Sequence, residues 1–244
     1  MIRWCLFFLL VLPAAAGEFE SANELYEKGE YVEAADNYRV QLKAGESAAL
    51  YFNLGNALFQ AGDFGQGIYC FRQAYRMSPR DPDIRANLRF SRKEVAGAFA
   101  PEETGWRVFF RYLSPGEWKL TVAGSAALLF GLLGLAELLR RQRGGLVWPI
   151  RILAIATPGF LLLAWVGHQA WDASDEAVLV VAKADVRYGP LKDSKPAYIL
   201  RNGEEVKITG TKNEWRQVVN TSGQTGWIQG EYLQRIETGL PAVQ

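Results

Sequence analysis

The chain has little of the material from which reactive sites are built. Its 244 residues include two cysteines, Cys5 and Cys70, and one histidine, His168. Neither a disulfide framework nor a Cys/His metal cluster can be assembled from that inventory. No G-x-x-x-x-G-K-[ST] segment occurs, so the phosphate cradle of that class of nucleotide-using enzymes is missing too. The carboxylate pairs Glu102/Glu103 and Glu204/Glu205 are adjacent in sequence, do not face one another across a substrate, and read as solvated surface. Neither sign of charge is in excess. With 27 basic and 26 acidic side chains the net charge is +1, which provides no field for nucleic acid and little steering for a charged substrate. These shortages predict a protein that is not an enzyme, uses no cofactor or metal, and binds no nucleic acid.

What the chain does have is unevenly placed. Arg3, the apolar run Trp4 to Leu12 and the small residues Ala14-Ala15-Ala16 have the order of a secretory signal over residues 1–16. Cys5 lies inside the apolar run and not at a cleavage junction, which argues against a lipoprotein; Cys70 is expected to be a small buried hydrophobe. Leu120 to Leu139 and Ile152 to Trp171 are apolar runs of the roughly 20 residues that a spanning helix needs. They predict transmembrane helices over 118–139 and 151–171, joined by a loop, 140–150, with Arg140, Arg141 and Arg143 and no acid. Such a loop belongs on the cytoplasmic side. Signal and hairpin therefore agree on a two-pass protein of a bacterial inner membrane, with both flanking domains on the periplasmic side. Trp118 and Trp171 are placed to anchor the outer helix ends. The segment 96–117 is a linker in which Trp106 to Leu113 mixes aromatics with cations, as at a lipid interface. Gly124, Gly131 and Gly134 supply small surfaces for packing against the second helix or another membrane protein. Glu137 and His168 lie near opposite faces of the bilayer, which disfavours a proton path.

Residues 17–95 carry an internal repeat. Ala22, Leu25, Gly29, Ala34 and Tyr38 recur 33 residues later as Gly55, Leu58, Gly62, Gly67 and Phe71. With Tyr51, Leu54, Ala74 and Pro79, this is the pattern of tetratricopeptide repeats, an all-α solenoid of paired antiparallel helices. A third helix from Asp81-Pro82-Asp83 through Ile84, Leu88 and Phe90 reads as the cap on the last apolar face. The concave side of the solenoid would present Asn23, Tyr26, Asn53, Asn56, Phe59 and Gln60 to a partner. There, asparagines either hydrogen-bond an extended peptide or are solvated helix positions. Asn23 and Asn53 resemble the clamp asparagines of chaperone-binding tetratricopeptide domains, without the lysines that accompany them.

Beyond Asp175 short β-rich runs (177–182, 197–200, 206–209, 215–219, 226–228) alternate with the turns Gly189-Pro190, Asn202-Gly203, Gly210 and Ser222-Gly223. Ala184-Asp185-Val186-Arg187-Tyr188-Gly189-Pro190, then Gly203, Trp215 and Gly226-Trp227-Ile228, resemble the bacterial SH3 family, which implies an all-β, SH3-like barrel over 177–236 with a tail at 237–244. Where the eukaryotic SH3 ending carries its groove proline this chain has Gln229, so a proline-motif partner is not expected. Tyr188, Trp215 and Tyr232 are the candidate ligand contacts and Trp227 the expected core filler; alternatively all four rings fill the core.

The order of signal, repeats, cap, two spans and barrel resembles the BatE-like family of the bacterial Bat aerotolerance operons. That resemblance implies a scaffold linked to oxidative-stress tolerance, with von Willebrand factor A-type membrane proteins as neighbours and no catalytic activity. The expectation is a multidomain adaptor whose partners are membrane or periplasmic proteins and the lipid bilayer. The alternative is a cell-wall sensor whose barrel binds peptidoglycan peptides.

Overall fold

The computed structural model describes residues 14–97, 105–138, 143–171 and 175–236. Most of the expected signal segment, the pair Glu102/Glu103 and the tail thus lie outside the described residues. Five helices come first: α1 (Ala14–Glu27), α2 (Tyr31–Ala44), α3 (Ala48–Gln60), α4 (Phe64–Met77) and α5 (Pro82–Ala96). The last three start where polar side chains satisfy the first free N–H groups. Ser47 accepts from Leu50 N at 3.1 Å, Asp63 from Gln66 N at 3.3 Å, and Asp81 from the amides of Asp83 and Ile84, with Pro82 in the first turn. Gly29 and Gly62 turn the chain at the same point of each unit, with φ of +82° and +86°. The replacement of the usual small alanine by Gly67 follows from packing. A Cβ on Gly67 would lie 3.2 Å from the Gly55 carbonyl oxygen, and one on Gly55 would lie 2.8 Å from the Phe71 ring. Helix α5 covers the last apolar face through Ile84 and Leu88, while Phe90 stays 60% exposed.

Two helices long and apolar enough to cross a membrane follow, α7 (Pro115–Leu138, 24 residues) and α8 (Val147–Trp171, 25 residues), with the short α6 (Trp106–Phe110) before them. Both begin earlier than expected. Helix α8 absorbs Val147 to Ile150 from the predicted loop, because Pro149 falls in a first turn where its missing N–H removes no hydrogen bond. Of the two packing partners expected for the small residues of α7, the second helix is not the one they meet. A Cβ on Gly124, Gly131 or Gly134 would meet nothing within 4 Å, so α7 does not use them against α8. The close approach is at Gly167, where a Cβ would lie 2.6 Å from Trp118 Nε1. Trp118 and Trp171, expected as headgroup anchors, are instead 9% and 5% exposed. Each donates its indole N–H inward, to Phe110 O at 3.1 Å and Leu113 O at 2.9 Å, and Arg111 Nε donates to Ala170 O at 2.8 Å. In the segment before α7, Trp106, Phe109 and Tyr112 stay exposed.

The last unit is a seven-stranded antiparallel sheet: β1 (Glu176–Leu179), β2 (Lys183–Arg187), β3 (Pro196–Arg201), β4 (Glu205–Lys212), β5 (Trp215–Asn220), β6 (Thr225–Gln229) and β7 (Leu233–Arg235). Its order is β3-β2-β6-β5-β4-β1-β7, and β3 does not pair with β7, so the expected barrel is not closed. Alternation sends Ala184 and Val186 of β2, and Val206 and Ile208 of β4, into one core with Leu200, Val218 and Ile228. Gly210, expected as a turn, is a bulge: the β4–β5 register shifts between Ile208 and Gly210 and the strand runs on to Lys212.

These units touch through α4. One side of α4 packs on α3, the other on β1, so the helix is buried almost all round from Gly65 to Tyr75. Trp171, Val178 and Ile236 join the repeat core, and the Tyr75 ring lies 5.4 Å from that of Trp171. Gly65 is the point of closest approach, since a Cβ there would lie 2.2 Å from Leu179 O. Gly65→Ala is therefore expected to separate sheet from repeats, at about 1–3 kcal/mol for overpacking a fitted contact. A lowered Tm together with faster limited proteolysis will check it.

Candidate binding surfaces

The interface on α4 is held by buried charge. Arg72 Nη1 donates to Glu205 Oε1 at 2.7 Å and Nη2 to Glu176; Arg92 of α5 donates from Nε to Glu205 Oε2 at 2.7 Å and from Nη2 to Oε1 at 3.0 Å. The side chains of Arg72, Arg92 and Glu205 are 6%, 8% and 9% exposed. Glu176, 26% exposed, also has Arg107 at 3.8 Å. Burial pushes the Glu205 carboxyl up, but Arg92 and Arg72 outweigh it and hold the group below the ordinary carboxylate range. Glu176 is likewise lowered, by Arg72 against its own burial. Glu205 is thus the opposite of the solvated surface expected from its pairing with Glu204. Its correct reading needed the tertiary fold, because β4 starts on the side that meets α4 and α5. A weak signal was present: Arg72 directly follows the apolar run Ile68-Tyr69-Cys70-Phe71 inside a repeat helix.

The expected concave residues are drawn together, partly with one another. Asn23 Oδ1 accepts from Tyr38 Oη at 2.5 Å and from Asn53 Nδ2 at 3.4 Å; Asn56 Oδ1 accepts from Asn87 Nδ2 at 2.7 Å. Asn87 was not among the predicted residues. Asn23 and Asn56 occupy the same repeat position, so they face the same way and cannot meet; contacts form instead to residues 30 and 31 positions away on the neighbouring first helix. Tyr26 stacks edgewise on Tyr31 at 5.2 Å, and its phenol is raised mainly by burial although Gln60 hydrogen-bonds it. Phe59 is packed among Phe64, Phe71 and Phe90, at 4.8, 6.5 and 6.1 Å between ring centres. The result is a half-buried polar strip with exposed Gln60 at its edge.

The sheet offers less of the expected ligand surface. Tyr188 is 72% exposed and Tyr232 is partly buried against the sheet core. Trp215 and Trp227 exchange their expected places: Trp215 is 6% exposed and Trp227 half-buried. Trp215 opens β5 opposite Lys212 across a two-residue turn, with Asn213 at φ +54°, and the inward side of the pleat takes its ring. The three candidates therefore do not form one aromatic face.

Residues 182–234 match the family model of the bacterial SH3 domain, and residues 48–81 match that of the tetratricopeptide repeat. Among curated proteins none matches the chain. The chain thus combines a tetratricopeptide unit, two apolar helices of spanning length and a bacterial SH3 sheet, a set that suggests protein or peptidoglycan partners.

Two outcomes are expected. Because the folded pKa values of Glu205 and Glu176 are depressed, their stabilisation is complete above the unfolded carboxylate pKa of about 4.3 and is lost as pH falls through the lower folded values. Sheet and repeats should stay docked at pH 5 and separate in more acid solution, and Glu205→Gln should cost about 3–5 kcal/mol by removing the buried charge that Arg72 and Arg92 share; melting curves between pH 3 and 7 measure both. Cys70, 3% exposed with its thiol pushed up to about 12 by burial, should resist iodoacetamide in the native protein and react on unfolding.

Proposed function

We propose that this protein is a non-enzymatic adaptor of a bacterial inner membrane, assembling an envelope complex through its repeat strip and its SH3 sheet on the extracytoplasmic side. The observation that carries the proposal is the clamp. Arg72 and Arg92 of the repeats close on Glu205 of the sheet, and Trp171 at the end of α8 packs into the same core. Two modules of recognition type are thereby held in one orientation at the end of an apolar hairpin. Holding them so favours simultaneous engagement of two partners, because the second encounter becomes intramolecular. The likeness to the BatE-like family supports neighbours of the von Willebrand factor A type and a role in oxidative-stress tolerance.

A second reading is a cell-wall module in which the sheet binds peptidoglycan peptides. The match of residues 182–234 to bacterial SH3 domains and the outward Tyr188 favour it. The two readings separate experimentally. For the adaptor, affinity capture from membranes should recover a von Willebrand-type protein, and Asn56→Ala with Gln60→Ala should reduce recovery at least ten-fold without lowering Tm by more than a few degrees. Unchanged recovery would sink it. For the cell-wall module, the full chain in detergent should sediment with purified peptidoglycan, and Tyr188→Ala should abolish this.

A further inference from the structure

The seam between repeats and sheet is not filled. A cleft of about 850 Å³ lies there, within the size range of small-ligand sites. The repeat wall supplies Asp63 and Phe64 at the start of α4, and Glu94 and Val95 in the last turns of α5. The sheet wall supplies Lys183 of β2 and Arg201 of β3. Lys183 and Arg201 stand directly opposite one another in the antiparallel register. Cross-strand partners share a face of the sheet with Cβ atoms about 4.5–5.5 Å apart, where like charges are destabilising. Both are exposed, and neither has an ion pair within 4 Å among the described residues. Arg201 acts on Glu204, whose carboxyl it lowers while burial raises it overall, and Asp185, on the same face of β2 as Lys183, is paired with Arg187. One wall of the cleft thus carries two adjacent exposed cations that make no direct ion pair among the described residues, with Glu94 and Asp63 on the opposite wall.

The opposite wall restricts what can fill it. Asp63 is committed to capping α4 through Gln66 N, whereas Glu94 is exposed and free of ion pairs among the described residues. A polyanion would gain Lys183 and Arg201 but meet Glu94 and Asp63. Phe64 and Val95 between the charged groups favour apolar side chains, and the Phe64 ring is fixed by Phe59 at 4.8 Å. Asn202 ties the walls together, its Oδ1 accepting from the Gly65 amide.

We propose that this cleft binds a short peptide by its free C-terminal carboxylate, held by Lys183 and Arg201, with apolar side chains on Phe64 and Val95 and the amino end toward Glu94. The site is distinct from the concave strip and independent of the adaptor reading. Because its walls belong to different units, it exists only while the clamp is closed. Ligand binding and docking are then linked, and each strengthens the other.

The test is calorimetric titration of the full chain in detergent micelles with Ala-Leu-Ala bearing free termini, and with the same peptide amidated at its C-terminus. Saturable binding of the free acid is expected, at least ten-fold weaker for the amide and at least ten-fold weaker for K183E/R201E. Glu205→Gln, which does not line the cleft, should weaken it as well, whereas Asn56→Ala with Gln60→Ala should not. A single Lys183→Gln substitution should raise the ligand-free Tm while lowering affinity, opposite in sign to loss of a structural lysine. The proposal is overturned if the free acid shows no saturable heat, if the amide binds equally, or if K183E/R201E leaves affinity unchanged in a chain of normal Tm.

Discussion

The arrangement of the whole molecule depends on one buried carboxylate. Glu205 sits at the first position of β4 and takes three hydrogen bonds from Arg72 and Arg92, which project from different helices of the repeat array. Taking such charges out of water is expensive, and the pair returns that energy only with the geometry intact. An apolar replacement could match the stability. What an apolar contact would not supply is orientation, because hydrophobic surfaces tolerate sliding and bidentate guanidinium pairs do not. Glu176, on the edge of the same site through Arg72, ties in β1 and reaches toward the hairpin through Arg107.

From that clamp the remaining contacts follow. With β4 fixed on α4 and α5, β1 lies along α4, and Gly65 is the residue that allows its backbone so close. Trp171 then falls against Tyr75, and Arg111, stacked on the Trp171 ring at 5.4 Å, secures the chain entering the hairpin. The aromatic side chains expected at a membrane surface are divided by this packing. Trp118 and Trp171 become internal fasteners, while Trp106, Phe109 and Tyr112 remain outside. Burial of α4 on two sides also lends a two-unit repeat array apolar cover that longer arrays obtain from further repeats.

Where local rules dominate, the residues were readable without coordinates. The 33-residue spacing located both helix pairs, since Gly29 and Gly62 are required by positive φ and the small residues by close helix approach. Length and composition located α7 and α8, although Pro149 moved the start of α8. The short strands and most turns of the sheet were legible from alternation and turn residues. The concave asparagines were identified by position, but their pairing with each other and with Asn87 was not, because it depends on the offset between neighbouring helices. Trp215 was misplaced for a related reason. In a small sheet either of two tryptophans fits the inward face, and only the register decides which.

Sequence alone settled the inventory: which segments are helical repeats, which are long apolar helices, which form a β unit, and that nucleophiles and metal ligands are scarce. These are properties of local pattern and composition. The tertiary structure settled how the units meet. Nothing in Glu204-Glu205 distinguishes a solvated carboxylate from the centre of a clamp, since burial is decided by residues 113 and 133 positions away. The open edge between β3 and β7, the cation pair on the sheet side of the seam and the cleft beside it are likewise products of register and docking. They arise from long-range packing, which short-range periodicity does not encode.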